Sequence, residues 1–224
     1  MFRTFREEIK NIYRKDPACN SIFEILFCYP GFHAILAHRI FHFFWTKKWG
    51  FLNGLIRFFV RVAAHVIKIS TGIEIHPAAQ IGKDFFIDHG TGVVIGETTI
   101  IGDNVTLYQG VTLGGVSTKK EKRHPTLASN IVIGAGAKVL GNIEIGDYVQ
   151  VGANSVVLKD IPSCSTVVGI PGRIVKMNGE LKECIDNLEH NKTPDFVGAT
   201  LQAMQEKIES LEAELKELKS EKLV

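Results

Sequence analysis

The sequence predicts an α+β chain: an N-terminal α-helical segment, a parallel β-helix solenoid, and a C-terminal coiled-coil helix. Three observations carry that prediction. From about Ile75 to Pro171 an apolar residue returns at every sixth position, often followed by Gly, as in Ile81-Gly82, Ile101-Gly102, Ile133-Gly134 and Ile145-Gly146. A period of six matches neither an amphipathic helix nor a two-sheet sandwich, and it marks a solenoid whose short repeats bury their faces only by stacking. Before this stretch the apolar residues fall at helical spacing. After it, Leu201, Met204, Ile208, Leu211, Leu215 and Leu218 step by three and four, which is a coiled-coil seam. The organisation expected is a helical domain over 1–70, a β-helix over 71–177, and a tail over 178–224 whose coiled coil occupies about 200–222.

The helical segment opens with Phe2, Phe5, Ile9, Ile12 and Tyr13, a surface helix over residues 1–15. Asp16-Pro17-Ala18 has the form of a helix start, with Asp as N-cap and Pro in the first turn. Tyr29-Pro30-Gly31 is a turn. Phe32 to Trp45 forms the next helix, whose His33, His38 and His42 have no ligand-like partner set and are assigned to packing or solvation rather than to metal binding. Trp49 to Ser70 forms another helix, ended by Thr71-Gly72. It carries Arg57, Arg61, His65 and Lys68 along one stripe, so a helix with a buried apolar face is favoured over a membrane span.

The solenoid begins at Ile73 and holds to about Val175. If three six-residue faces complete a coil, residues eighteen apart stack roughly 4.8 Å apart. Gly134-Ala135 and Gly152-Ala153 obey that spacing and leave a line of small residues, either a groove for an extended ligand or simply tight corners. Two breaks interrupt the period. Ile87 to Ile95 takes eight residues, and Leu113 to Leu127 takes fourteen where twelve keeps register. The first break contains Asp88-His89, the second Arg123-His124. After the solenoid, Leu181 to Leu188 reads as a short helix and Asn191 to Pro194 as a linker.

Bulk properties exclude several classes. The chain has 224 residues, 45% apolar content and a net charge of +2, which fits a folded domain and makes no global case for nucleic acid. The cationic run Lys119, Lys120, Lys122, Arg123 lacks the aromatic interleaving of a nucleic-acid site. The four cysteines form no CxxC pair and are expected as reduced thiols. With no apolar leader after Met1, the expected compartment is cytoplasmic.

Chemistry is expected at the breaks. Glu74 precedes His89 by fifteen residues, three short of a coil, and a carboxylate on one imidazole nitrogen raises the basicity of the other. That pair is a candidate general base for a hydroxyl.

The residues Ile75-His76-Pro77-Ala78-Ala79, Asp88-His89-Gly90-Thr91-Gly92, Val94-Ile95-Gly96-Glu97-Thr98, Val111-Thr112-Leu113-Gly114-Gly115 and Arg123-His124-Pro125 resemble the serine O-acetyltransferase family. So do Ile133-Gly134-Ala135-Gly136-Ala137-Lys138, Gly169-Ile170-Pro171-Gly172-Arg173, Asp16-Pro17-Ala18 and Gly31-Phe32-His33-Ala34. The likeness spans about residues 14 to 176. It implies a left-handed β-helix assembled around a threefold axis, and direct transfer of acetyl from acetyl-CoA to the L-serine hydroxyl in cysteine biosynthesis. It assigns His89 as base with Glu74, where the family usually has Asp. It assigns Asp16 and Asp88 to the substrate ammonium, Arg123 to its carboxylate, and His124 to substrate contact and oxyanion stabilisation. Acetyl-CoA is expected between adjacent subunits at Gly115, Ala135 and Ala153, with Arg173 toward its nucleotide end, and no metal is expected.

The same resemblance implies a homotrimer, because the helical segment that joins trimers in longer members is not expected here. Docking into O-acetylserine sulfhydrylase is not expected, since the chain ends Leu223-Val224 rather than in Ile. Feedback inhibition by cysteine is expected. The alternative keeps the fold and acetyl-CoA but uses a sugar or other hydroxyl acceptor; Asp16, Asp88 and Arg123 favour a zwitterionic amino acid. A γ-class carbonic anhydrase would draw on His76, His89 and His124 but lacks its H-x4-H pair. A non-enzymatic scaffold leaves the two histidine-bearing breaks unexplained.

Overall fold

The computed structural model describes residues 2–177, 202 and 204–212. The chain divides into two compact units, Met1–Lys192 and Thr193–Val224. In the first, four helices precede the solenoid: α1 (Phe2–Lys15), α2 (Ile22–Cys28), α3 (Pro30–Thr46) and α4 (Asn53–Thr71), the last entered through a 3-10 turn at Gly50–Leu52. The helix after α1 does not start at Asp16. It starts after Ser21, whose Oγ accepts from the Glu24 N–H. Asp16 instead closes a short turn by accepting from the Ala18 N–H at 2.8 Å, because Pro17 and the extended Ser21 backbone break the helical path before Ile22.

The solenoid has three parallel sheets. The first stacks Glu74–Ile75, Val94–Ile95, Thr112–Gly114, Lys138–Leu140 and Val156–Val157. The second stacks Gln80–Ile81, Ile100–Ile101, Thr126–Leu127 and Glu144–Ile145. The third stacks Phe86–Ile87, Val105–Leu107, Ile131–Ile133, Gln150–Val151 and Ser165–Val168, and Arg173–Met177 closes its end antiparallel. The six-residue register reappears as vertical columns. Ile75 pairs with Ile95, Ile95 with Leu113, Leu113 with Val139 and Val139 with Val157. From Leu107 through Ile133 and Val151 to Val167 the third column is fully buried. Burial of one such side chain contributes about 1.5–3 kcal/mol, so the columns supply the main cohesion of the solenoid.

The register corrects the reading of the second break. Leu113 lies in the first sheet and Leu127 in the next, so the fourteen-residue step spans one corner rather than two faces. The excursion therefore inserts eight residues, and partners across it are 26 apart, as in Ile101 with Leu127. The first break adds two residues, which makes its partners 20 apart, as in Ile75 with Ile95.

The helices tie onto the first coils. Asn11 Nδ2 donates to the Phe85 carbonyl, and Lys15 Nζ donates to the Asp84 carbonyl and to Thr106 Oγ1. Burial and the Arg14 charge lower the Lys15 pKa to about 8. Buried Glu8 on α1 pairs with Arg39 on α3, and Arg39 also donates to the Ile81 and Gly82 carbonyls. His33, His38 and His42 each donate a ring N–H to a backbone carbonyl, at Leu26, Ala79 and Pro77. They serve packing, one of the two roles expected of them.

Helix α4 departs from expectation. Its apolar side is not buried: Leu55, Phe58, Phe59, Val62, Val66 and Ile69 are exposed, and only Val60 and Thr71 are buried. The cationic stripe is exposed as well, and the narrow inward face is made by Ile56, Val60, Ala63, Ala64, Ile67 and Thr71. Arg57 lies over the Trp45 ring at 5.0 Å, and Arg61, His65 and Lys68 line a recess with Glu74 and Ile75. Gly50–Thr71 is long and apolar enough, by length and composition, to cross a membrane. Gly72 ends it in the left-handed conformation at φ 72°. Cys164 is disulfide-bonded, contrary to the expectation of reduced thiols, while Cys19 and Cys28 are free.

In the second unit, helix covers Met204–Glu212. Met204, Ile208 and Leu211 are exposed. Leu201, Leu215 and Leu218 of the proposed seam, and the helix expected over Leu181 to Leu188, lie outside the described residues.

Candidate functional site

The predicted site residues fall on two corners of the solenoid. The first corner leads from the third sheet to the first and contains Asp88 to Gly92. Asp88 continues the strand by donating its N–H to the Leu107 carbonyl, and the Gly90 N–H then turns back onto the Asp88 carbonyl. Between them His89 takes φ 56°, a left-handed conformation uncommon outside Gly, Asn and Asp. It turns the imidazole outward, with the side chain 76% exposed and Nε2 3.9 Å from Asp88 Oδ1. Tyr108 lies one coil along beside Asp88, and its phenol pKa is raised by burial and then by the Asp88 charge. Ala135 and Ala153 occupy the same corner in later coils, where the Asn154 N–H donates to the Ala135 carbonyl.

Asp16 is linked toward this corner through Tyr29, the residue that caps the start of α3. Its Oδ2 accepts from the Tyr29 hydroxyl at 2.5 Å, and burial and Asp16 push the Tyr29 pKa up. Two residues beyond, Gly31 packs so closely that an added Cβ lies 2.3 Å from the carbonyl oxygen of Ile87, the residue before Asp88. Gly31 is therefore what lets α3, whose start Tyr29 caps, seat on the strand that leads into the corner.

Glu74 also borders this corner. The Gly92 N–H donates to the Gly72 carbonyl, and Gly90 packs on the Ile73 side chain, so the chain neighbours Glu74 and His89 flank one contact. The Glu74 carboxylate itself is bonded to Lys68 Nζ at 2.5 Å.

The second corner leads from the first sheet to the second and carries Arg123 and His124. Arg123 Nη2 donates to Glu97 Oε2 at 3.2 Å, which engages one of the five guanidinium N–H donors. His124 is buried, against Gly96 and Gly115. An added Cβ on Gly96 lands 1.9 Å from His124 Cδ2, so only glycine leaves room for this ring. The His124 pKa is lowered by burial first, then by Arg123 and Lys122. His76 shares this surface, where burial and Arg61 lower its pKa to about 4.

The strand Val94–Ile95 separates the two corners, so one chain does not bring Arg123 and His124 to Asp88 and His89. Gly115 goes with Arg123, Ala135 and Ala153 with His89, and Arg173 is exposed on the closing strand. Sequence reasoning passed over Tyr29, Lys68, Thr98 and Tyr108 as site residues. Lys68 had a visible signal, its place on the polar stripe; Tyr29 had none beyond its turn.

A triangular parallel solenoid with polar side chains gathered at two of its corners defines a hexapeptide-repeat transferase, and the Bacterial transferase hexapeptide (six repeats) model matches residues 124–159. A serine acetyltransferase of Bacillus subtilis (strain 168) is 50% identical over 218 residues, covering 97% of this chain and 96% of the relative. The chain belongs to the serine acetyltransferase family. Among solved structures, soybean serine acetyltransferase complexed with serine is 42% identical, covers 77% of this chain and 68% of its own, and superposes with a TM-score of 0.71. A serine acetyltransferase complex with CoA is 40% identical over 77% of this chain and 68% of that one, with a TM-score of 0.69.

Proposed function

We propose that the protein transfers the acetyl group of acetyl-CoA to the hydroxyl of L-serine, giving O-acetyl-L-serine and CoA, the first step of cysteine biosynthesis. The observation that carries this reading is His89, held outward in a left-handed turn beside Asp88 with its imidazole open to solvent. His89 accepts the serine hydroxyl proton as that oxygen attacks the thioester carbonyl. The tetrahedral oxyanion is met by an N–H donor at His124. Collapse breaks the C–S bond, and the proton held by His89 leaves with the CoA thiolate. Glu74 orients His89, Asp16 and Asp88 take the substrate ammonium, and Arg123 takes the carboxylate with its remaining planar donors. CoA lies along Gly115, Ala135 and Ala153, with Arg173 toward its nucleotide.

These roles require a second copy of the chain, since Arg123 and His89 occupy different corners of one protomer. A homotrimer supplies it, with each site in a groove between neighbours. The exposed apolar side of α4 is surface that association can cover. Sedimentation is expected to give three copies, and a stable hexamer or a monomer overturns that assembly.

The activity is tested by thiol release from acetyl-CoA with L-serine, using wild type and His89→Ala. Loss of about 10²–10⁴-fold in kcat is expected for the variant. Turnover within a few fold of wild type removes His89 as the base. Faster turnover of L-homoserine or a galactoside than of L-serine overturns the acceptor assignment.

A further inference from the structure

Four hydrogen bonds converge on Thr98 at the second corner. Its Oγ1 accepts from the backbone N–H groups of Arg123 and His124, each at 3.1 Å. Its own backbone N–H donates to His124 Nδ1 at 3.2 Å, and Oγ1 lies 2.8 Å from the same nitrogen. Proton counting then leaves one arrangement. A backbone N–H can only donate, so His124 Nδ1 is an acceptor and carries no proton. With both Oγ1 lone pairs facing N–H donors, the single hydroxyl hydrogen is directed to Nδ1 as well. The neutral ring must therefore hold its proton on Nε2, the nitrogen lying against Gly96 and Gly115. Protonating Nδ1 would set a third hydrogen against two that already point at it.

We infer that Thr98 is a positioning residue: it holds His124 as the neutral Nε2–H tautomer and fixes the Arg123-His124 backbone, so that the site receives a hydrogen-bond donor. This deepens the serine acetyltransferase reading and rests on it for what the donor meets, namely the substrate carboxylate or the developing oxyanion. A threonine suits the task because one hydroxyl serves two backbone donors and one imidazole at once, while its β-branch limits χ1. Burial, Arg123 and Lys122 hold the His124 pKa below its usual value, in the same direction as the hydrogen-bond pattern. Glu97 and His76 also face this ring's surroundings, and Glu97 alone among these neighbours favours the cation.

The test uses the full-length protein labelled with 15N at histidine, with His124→Gln assigning the signal. Wild type is expected to show the Nε2–H tautomer of His124 at pH 7. Thr98→Val keeps the branched shape and removes the hydroxyl; a mixture of tautomers and a fall in kcat/KM for L-serine of about 10–100-fold are expected. Thr98→Ser restores the tautomer and brings kcat/KM within about threefold. Nδ1–H or an imidazolium in wild type at pH 7 overturns the inference. So does Thr98→Val with tautomer and kcat/KM unchanged. If Thr98→Val does not fold, the wild-type tautomer and the Thr98→Ser variant still decide. The spectrum is read without substrate, so a wild type lacking serine acetylation overturns the functional reading while the tautomer separately judges Thr98.

Discussion

Glu74 is bonded to Lys68, with Oε2 2.5 Å from Nζ, and not to His89, the residue it is expected to orient. Glu74 and His89 nonetheless flank the contact between Ile73 and Gly90. Both members of the ion pair are partly exposed, 45% for Lys68 and 38% for Glu74, so solvent screening leaves the pair weak. Releasing Glu74 from Lys68 is therefore inexpensive. Glu74→Gln is expected to lower kcat about 10–100-fold. Lys68→Met is expected to leave kcat within about threefold of wild type or to raise it, because it removes the competing partner. Steady-state kinetics on the two variants separates the readings: a Lys68→Met loss as large as that of Glu74→Gln means the ion pair, not the dyad, matters.

Asp16 offers a second kinetic handle. Its Oδ2 accepts from the Tyr29 hydroxyl at 2.5 Å while Oδ1 closes the turn at Ala18, so both oxygens are held before substrate arrives. A hydrogen bond to a charged group contributes about 1.5–3 kcal/mol. Tyr29→Phe removes it without changing the ring. If Asp16 takes the substrate ammonium, KM for L-serine is expected to rise about tenfold, with kcat within about threefold and KM for acetyl-CoA unchanged. A variant that changes only the acetyl-CoA parameters removes Asp16 from the serine side.

What was legible in the sequence is what the solenoid encodes locally. Ile75, Ile95, Leu113 and Val139 form one column because every coil must present an apolar residue to the same interior, and that demand writes itself into the period. Asp88-His89 and Arg123-His124 were visible because a break in a strict period stands out. The size of the second break was not legible: a fourteen-residue step reads as two faces plus two residues or one face plus eight, and only strand pairing decides. The burial of α4 was misread for a similar reason. Helical spacing tells which residues share a face but not how much of it other elements cover, and here Leu55, Phe58, Val62 and Ile69 lie exposed along with the cationic stripe. The split of the site across two corners follows from the same limit, since spacing along one chain does not say which corners meet.

An ion pair between α1 and α3, whose arginine also reaches the solenoid backbone, predicts an asymmetric mutational response. Arg39 Nη2 lies 3.2 Å from Glu8 Oε1, and the guanidinium also donates to the Ile81 and Gly82 carbonyls. Burial raises the Glu8 pKa against the lowering effect of Arg39. Removing one member of a buried pair leaves the other charge uncompensated and costs about 3–5 kcal/mol. Arg39→Met is expected to destabilise by that order. Adding Glu8→Gln is expected to recover part of the loss, so that the double variant is more stable than Arg39→Met alone. Denaturant unfolding at fixed protein concentration measures both, and strict additivity of the two losses would show that the pair is not coupled.

The last prediction concerns acid. His38 is 3% exposed, donates from Nε2 to the Ala79 carbonyl, and leaves Nδ1 without a hydrogen-bond partner. Burial, followed by the charges of His42 and Arg39, lowers its pKa to about 3. In the unfolded chain a histidine titrates near 6.5. Below that value the unfolded state binds a proton that the folded state refuses, so the unfolded state holds more protons and stability rises with pH. The contribution is therefore complete above about pH 6.5 and is lost as pH falls toward the folded value. For one group the slope approaches about 1.4 kcal/mol per pH unit once the unfolded histidine is protonated. His38→Leu fills the site without a titrating group. It sacrifices the bond to Ala79, so its stability at pH 7.5 is expected to be lower than that of wild type, but its loss between pH 6.5 and 5 is expected to be shallower. His76, with its pKa lowered to about 4, titrates in the same direction and leaves a residual slope in the variant. Unfolding free energies at several pH values for the two proteins check this, and parallel curves would mean that His38 is protonated in the folded state.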